Sequence, residues 1–306
     1  MKIIYLPLLT IAFLCIAGNA LAQTDPNDIL DKLEQEAKDI KPEKTASFKM
    51  SVDYLNNNVF MGRADTVSTP AILPELKYTF KNGIFVSAGA NYIPNRLTNK
   101  LDAGSLALGY NYEITDDLGG NVSFTKLFYS ANSTQIGSAI TGIISADMDY
   151  DIAGIITPTV GMNYNLVTQG FGNDIFVNAG LSHDFAKEGI FGDNDLFIIS
   201  PAALINAGTQ NFYNAYLVTK KYKLTAKGQA KEAVAEKLLT KQKEKLSQFS
   251  LLDYELSTPI EYKTGKLILS FRPTYAQSEN KLPPRITAGM VKSGIFFFEA
   301  GAALKF

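Results

Sequence analysis

Tryptophan is absent from these 306 residues, histidine occurs once, and the sole cysteine, Cys15, lies in an apolar segment near the start. With no thiol after that segment, the rest of the chain can build neither a disulfide framework nor a thiol nucleophile, and one imidazole argues against a transition-metal site. Leu14 stands where a lipoprotein signal needs a small residue before its cysteine, so an acyl anchor is excluded as well. Membrane helices need apolar runs of about 18 or more residues. The one long run, from Ile3 to Ile16, is shorter than that. No basic and aromatic groove or known motif accompanies the lysines, which excludes nucleic acid as a partner. A net charge of −1 says little, because charge is spread unevenly.

What is present begins with Met1 and Lys2 ahead of that run, followed by Ala20-Leu21-Ala22 before Gln23. This is the pattern of a cleavable export signal over 1–22, cut after Ala22, and Gly18, Ala20 and Ala22 argue against an uncleaved anchor. From Ser47 the hydrophobic period is two. Twelve strands are expected, at about 47–61, 71–80, 84–94, 103–114, 118–129, 139–151, 155–166, 175–185, 195–209, 249–262, 266–277 and 293–306. In the third, Ile84, Val86, Ala88, Ala90 and Tyr92 alternate with Ser87, Gly89 and Asn91; in the last, Phe296, Phe298, Ala300, Ala302, Leu304 and Phe306 share one face.

The connections carry a second signal. Lys81-Asn82-Gly83, Thr115-Asp116-Asp117, Ile152-Ala153-Gly154 and Lys263-Thr264-Gly265 read as tight turns after even-numbered strands, with 186–194 the one overlong member. Connections after odd-numbered strands are longer: 62–70, 95–102, 130–138, 167–174, 210–248 and 278–292. A transmembrane barrel has short turns and both termini on one side and long loops on the other. A soluble sandwich has no reason to sort its loops in this way. The expected fold is therefore all-β, a transmembrane antiparallel β-barrel of about twelve strands over 47–306. Its mean hydropathy near zero fits walls whose lipid-facing and lumen-facing residues alternate. Without tryptophan, its aromatic girdle has to come from Tyr and Phe, with Tyr54, Tyr78, Tyr92, Tyr150, Tyr164 and Tyr262 at suitable strand ends.

Two strands resist the scheme. Lys126 shares a face with Phe124 and Phe128, which calls for a bulge or a snorkelling side chain. The ninth strand is apolar on both faces. Ahead of the barrel, 23–46 is polar, with Asp25-Pro26 opening a helical pattern of Ile29, Leu30, Leu33, Ala37 and Ile40 that Pro42 stops. It is expected as a short periplasmic helix, or as a partial plug in the barrel mouth.

Alternation sends many charges inward, since Arg or Lys facing lipid at mid-depth costs about 2–4 kcal/mol. The candidate lumen-lining residues are Asp53, Glu75, Lys77, Glu113, Asp147, Asp149, Asp253, Glu255, Arg272 and Glu299. They form either a salt-bridge lattice that fills a narrow barrel or the wall of a water-filled, cation-attracting pore. Asp147, Asp149 and Asp151 match the opening spacing of a Ca²⁺-binding EF-hand loop, but Ile152 replaces its glycine and Pro158 its final glutamate. A solvated acidic rim is the expected outcome, with no metal and no cofactor. Ser182-His183-Asp184 cannot form a triad, because neighbours on one strand point to opposite faces. The loop 220–248 carries an excess of lysine beside an apolar helical stripe of Ala230, Ala233, Val234, Leu238 and Leu246. Lys231, Lys237, Lys241 and Lys245 are therefore candidate contacts for an anionic surface, the alternative being a solvated lid.

From Ser47 to Phe306 the chain resembles Gram-negative outer-membrane β-barrels of the small twelve-stranded kind. The resemblance rests on Leu252-Asp253-Tyr254-Glu255-Leu256, Pro259-Ile260-Glu261-Tyr262-Lys263 and Phe298-Glu299-Ala300-Gly301 with a terminal aromatic. It implies the outer membrane as location, lipid and lipopolysaccharide as surroundings, and a barrel-assembly machinery that reads the strand ending in Phe306. It implies no enzymatic activity. The expected function is a narrow passive channel for small solutes; the alternatives are a non-conducting structural or surface-interaction barrel and, less favoured, an outer-membrane hydrolase.

Overall fold

A computed structural model describes residues 45–64, 68–97, 100–131, 133, 135, 137–168, 172–212, 247–279 and 294–306. The expected signal, the helix of 23–46 up to Lys44, and the lysines of the 220–248 loop fall outside these residues.

Among the described residues seventeen strands follow one another: β1 (Ser47–Leu55), β2 (Val59–Phe60), β3 (Arg63–Ala64), β4 (Ala71–Thr79), β5 (Ile84–Tyr92), β6 (Leu101–Glu113), β7 (Leu118–Tyr129), β8 (Ile140–Tyr150), β9 (Thr157–Val167), β10 (Asp174–Ser182), β11 (Phe185–Glu188), β12 (Asp195–Ile199), β13 (Ala202–Gly208), β14 (Ser250–Ser257), β15 (Ile260–Thr264), β16 (Leu267–Ser278) and β17 (Gly294–Lys305). Each long strand pairs antiparallel with its neighbours. β17 pairs with both β16 and β1, which closes the sheet and leaves no open edge along the seam. Three staves are broken in the middle, β10/β11, β12/β13 and β14/β15, so the wall has twelve staves. Two of the breaks fall at Ser200-Pro201 and Thr258-Pro259, where proline brings no N–H to the ladder. The carbonyls there still accept, from His183 N to Pro201 O (3.2 Å) and from Ser200 N to Pro259 O (2.8 Å).

Both described ends of the chain lie at one end of the barrel, where Phe48 and Phe306 exchange two backbone hydrogen bonds of 2.9 Å. The tight turns gather at this short-turn end and the long connections at the other. The overlong turn proves to be built: Asp195 accepts N–H bonds from Ile190 (2.9 Å) and Phe191 (2.8 Å) and the Tyr262 hydroxyl (3.0 Å), which fixes the hairpin of β11 and β12.

The outward face is apolar, with Val52, Leu76, Leu106, Leu108, Phe124, Ile144, Val160 and Leu256 exposed. Lys126 stays in register on that face and lays its Nζ 6.0 Å from the Phe128 ring, so it snorkels and no bulge is needed. Register also settles the doubly apolar stave. Phe197 and Ile199 pair with Tyr262 and Ile260 on the outer face, while Leu204 turns inward beside Gly180 and Glu255.

One expectation fails at the first stave. It was expected to run to 61, but β1 stops at Leu55 and the chain folds into the small hairpin β2–β3. Its central residues Met61 and Gly62 have φ of 49° and 67°, the double left-handed turn that a two-residue hairpin favours. Val59 and Phe60 extend the alternating pattern but belong to a loop.

Candidate functional site

The lumen differs between its two halves. Toward the long-loop end it is packed. The Phe60 ring meets Phe212 at 4.9 Å and Phe176 at 5.9 Å, and those two meet at 5.6 Å, all near edge-to-face. Ile140 and Leu252 are buried with them, and Met61, Leu127, Ile143 and Val167 pack around the group. Phe60 and Met61 come from the first loop, so this core is a plug that the loop completes from within.

Polar fasteners hold the plug. Arg63, 1% exposed, donates from Nη1 to Met61 O (2.7 Å) and from Nη2 to Gln210 Oε1 (2.6 Å). Asp174 accepts from Thr209 Oγ1 (2.6 Å) and from the N–H groups of Asn211 and Phe212 (2.7 Å each), which sets the Phe212 ring in place. Asn206 Nδ2 donates to Asp253 Oδ1 (2.7 Å). Gly62 lies directly over Asp253 and Ser278, with room for no side chain. At the stem, Asn58 N donates to Thr69 O (3.1 Å) and Thr69 N to Asn57 Oδ1 (3.1 Å), so the loop leaves and rejoins the wall at one point.

Toward the short-turn end the lumen is polar and its wall is small. Ser51, Ser87, Gly89, Ser105 and Ser270 face inward in register with the charges. The Asp53 carboxylate rests over Gly301 and the Asp147 carboxylate over Gly161, where any Cβ would overlap an oxygen. These groups therefore lie along the wall rather than across the lumen. Arg272 Nη2 meets Glu299 Oε2 at 2.8 Å, yet the side chains remain 51% and 27% exposed. Lys263 and Glu261 pair at 2.9 Å with similar exposure. A lattice that filled the barrel would bury such pairs. At this exposure each contributes about 0.2–1 kcal/mol and mainly orients charge.

The charges are also sorted around the circumference. Lys49 stands opposite both Lys77 and Lys305, a basic row across β17, β1 and β4, and the Lys77 Nζ lies 4.0 Å over the Phe85 ring. Glu113, Asp147 and Asp149 occupy β6 and β8, with Gly119 opposite both Glu113 and Asp149. Glu75 faces inward between Ser51 and Gly89, and Glu255 between Leu204 and Ala276. Asp253 also faces inward but is fully buried beneath the first loop, so it belongs to the plug and not to a wet wall.

Asp151 closes its own turn by accepting from Gly154 N (2.7 Å). Among the described residues no three acidic or imidazole side chains are placed to hold a metal ion. Ser182 Oγ donates to Thr157 O (3.5 Å), while the His183 ring packs edge-on to Phe185 at 4.2 Å. Ser182 and His183 therefore engage different neighbours. Sequence reasoning missed Phe60, Gly62, Arg63, Gln210 and Phe212. The available signal was apolar residues on the inward face, Ile143 and Phe176, which mark where a lumen is filled; Leu252 shares the outward period of Tyr254 and Leu256 and is buried only because the strand bulges at that point.

A closed antiparallel barrel, apolar outside and polar in half of its interior, has the architecture of a Gram-negative outer-membrane β-barrel. No protein-family model matches the chain, and no curated protein matches its sequence. Among solved structures, the KdgM porin aligns over 85% of this chain and 99% of its own at 7% identity, with a TM-score of 0.45. The NanC porin covers 85% and 100% at 10% identity and a TM-score of 0.43. LpxR from Salmonella typhimurium covers 84% and 99% at 9% identity and 0.42. At such identities the likeness carries no site residue over to this chain.

Proposed function

We propose that this chain is an integral outer-membrane barrel that passes small solutes through a narrow, net-acidic lumen, and that its first loop closes the outer half at rest. The observation that carries this reading is the contrast between the halves. The short-turn half keeps its charges flat on a wall of glycine and serine and leaves Arg272 half exposed. The first loop's share of the obstruction, Phe60 and Met61, hangs on a single stem, so it can leave without breaking any stave.

The aromatic plug also favours a second reading, a non-conducting structural or surface-interaction barrel. Fractionation and heat-modifiable migration on gels test the location; a soluble product would contradict it. Purified protein in a planar bilayer should give brief current steps with a reversal potential that favours cations. Silent membranes from both the wild type and a loop-releasing variant would favour the second reading.

A further inference from the structure

The outward wall is not uniformly bulky. Leu267, Leu304, Met50, Leu76 and Ala88 form one cross-strand row over β16, β17, β1, β4 and β5. The next row toward the long loops includes the small residues Ala302 and Pro74, each opposite Val52. Aromatic rings border these rows on both sides, Phe306 and Tyr78 below, Tyr54 and Phe271 above. Between them runs an apolar groove of about 730 Å³ that crosses the seam where β17 meets β1.

One end of the groove begins at Leu267, next to Lys266 in the short-turn rim. The Lys266 Nζ lies 4.4 Å over the Phe306 ring, and its carbonyl accepts from Lys305 N (2.9 Å), so the ammonium is positioned and remains exposed. We infer that the groove holds one acyl chain of a phospholipid whose anionic headgroup is bound by Lys266. A groove turned toward hydrocarbon is filled by what the bilayer supplies. The outward side chains that line it carry no charge, since Glu75 of its wall turns its side chain into the lumen, and apolar side chains with a cation at one end match a molecule with an apolar tail and an anion at one end. The inference rests on the membrane-spanning reading.

Native mass spectrometry of the folded barrel in detergent, with equal phosphatidylglycerol and phosphatidylethanolamine added, tests it. One phosphatidylglycerol should stay bound per barrel. Lys266→Gln should lower the preference for it about fivefold, the factor that one ammonium beside an anionic headgroup supplies. Ala302→Phe, which points outward and fills the groove, should abolish retention of both lipids. Equal retention of both lipids by the wild type, or unchanged retention by Ala302→Phe, would overturn the inference. So would a wild-type dimer that Ala302→Phe dissociates, because the groove would then seat a second copy. Heat-modifiable migration of each variant checks the barrel itself, so a failed lipid result is separable from a failed membrane reading.

Discussion

Replacing Gly62 with valine should drive the first loop out of the lumen. Gly62 holds φ at +67°, a region that costs an L residue about 1–2 kcal/mol. A Cβ there would stand 2.7 Å from Asp253 Cβ and 3.2 Å from Ser278 Cα. Both belong to staves and not to flexible side-chain ends, so the loop is the part that yields. Overpacking of this kind costs about 1–3 kcal/mol. Together the two effects oppose the inserted loop by about 2–5 kcal/mol, which shifts the inserted-to-released ratio by a factor of roughly thirty to a few thousand. Arg63 provides the readout, because at 1% exposure its bond to Ala64 is closed to trypsin until the loop leaves. When reinsertion outpaces cleavage, the cutting rate follows the released population. The fragment ending at Arg63 can be followed by mass, with denatured protein of both sequences correcting for the changed neighbour of the scissile bond. A folded variant cut at Arg63 no faster than the wild type would refute the argument.

Two other outcomes follow from the same geometry and a third from the sequence. Asp102, fully buried, pairs with Arg96 and accepts from Ser133 Oγ (2.8 Å) and Gln135 Nε2 (2.5 Å); Asp102→Ala should cost about 3–5 kcal/mol locally and raise hydrogen exchange at the hydrogen-bonded loop amides of Arg96, Ser133 and Ser138 while the staves stay protected. Because the paired Arg272 and Glu299 side chains remain partly exposed, Arg272→Ala should increase cation preference and Glu299→Gln decrease it, read as opposite shifts of reversal potential in a salt gradient. Replacing Lys231, Lys237, Lys241 and Lys245 with Gln should speed cleavage of that loop by protease added to intact cells and leave barrel assembly unchanged; an indifferent loop would be a solvated lid.

The barrel was legible because its two signals are local. Alternation gives each stave its faces, and turn residues such as Lys81-Asn82-Gly83 mark the short connections, so twelve staves could be counted from the chain alone. The plug was not legible, because it depends on contacts between distant segments. Phe60 continues the period of β1 and reads as wall, while its partners Phe176 and Phe212 lie more than a hundred residues away. Arg63 and Gln210 are polar residues in separate connections, and nothing in their local pattern announces that they meet. For Asp253, alternation reports a face and not a depth, so its burial beneath Gly62 was beyond reach. The register of the wall charges, by contrast, follows from the period.

The most direct test of the account is the conductance of a barrel in which residues 59–66 are replaced by a short Gly-Ser link. No stave is touched, and Phe60, Gly62 and Arg63 are removed together. The account predicts a variant that folds and migrates as a barrel and gives larger and longer current steps than the wild type, with cation preference retained. A correctly folded variant that leaves the bilayer silent would contradict it.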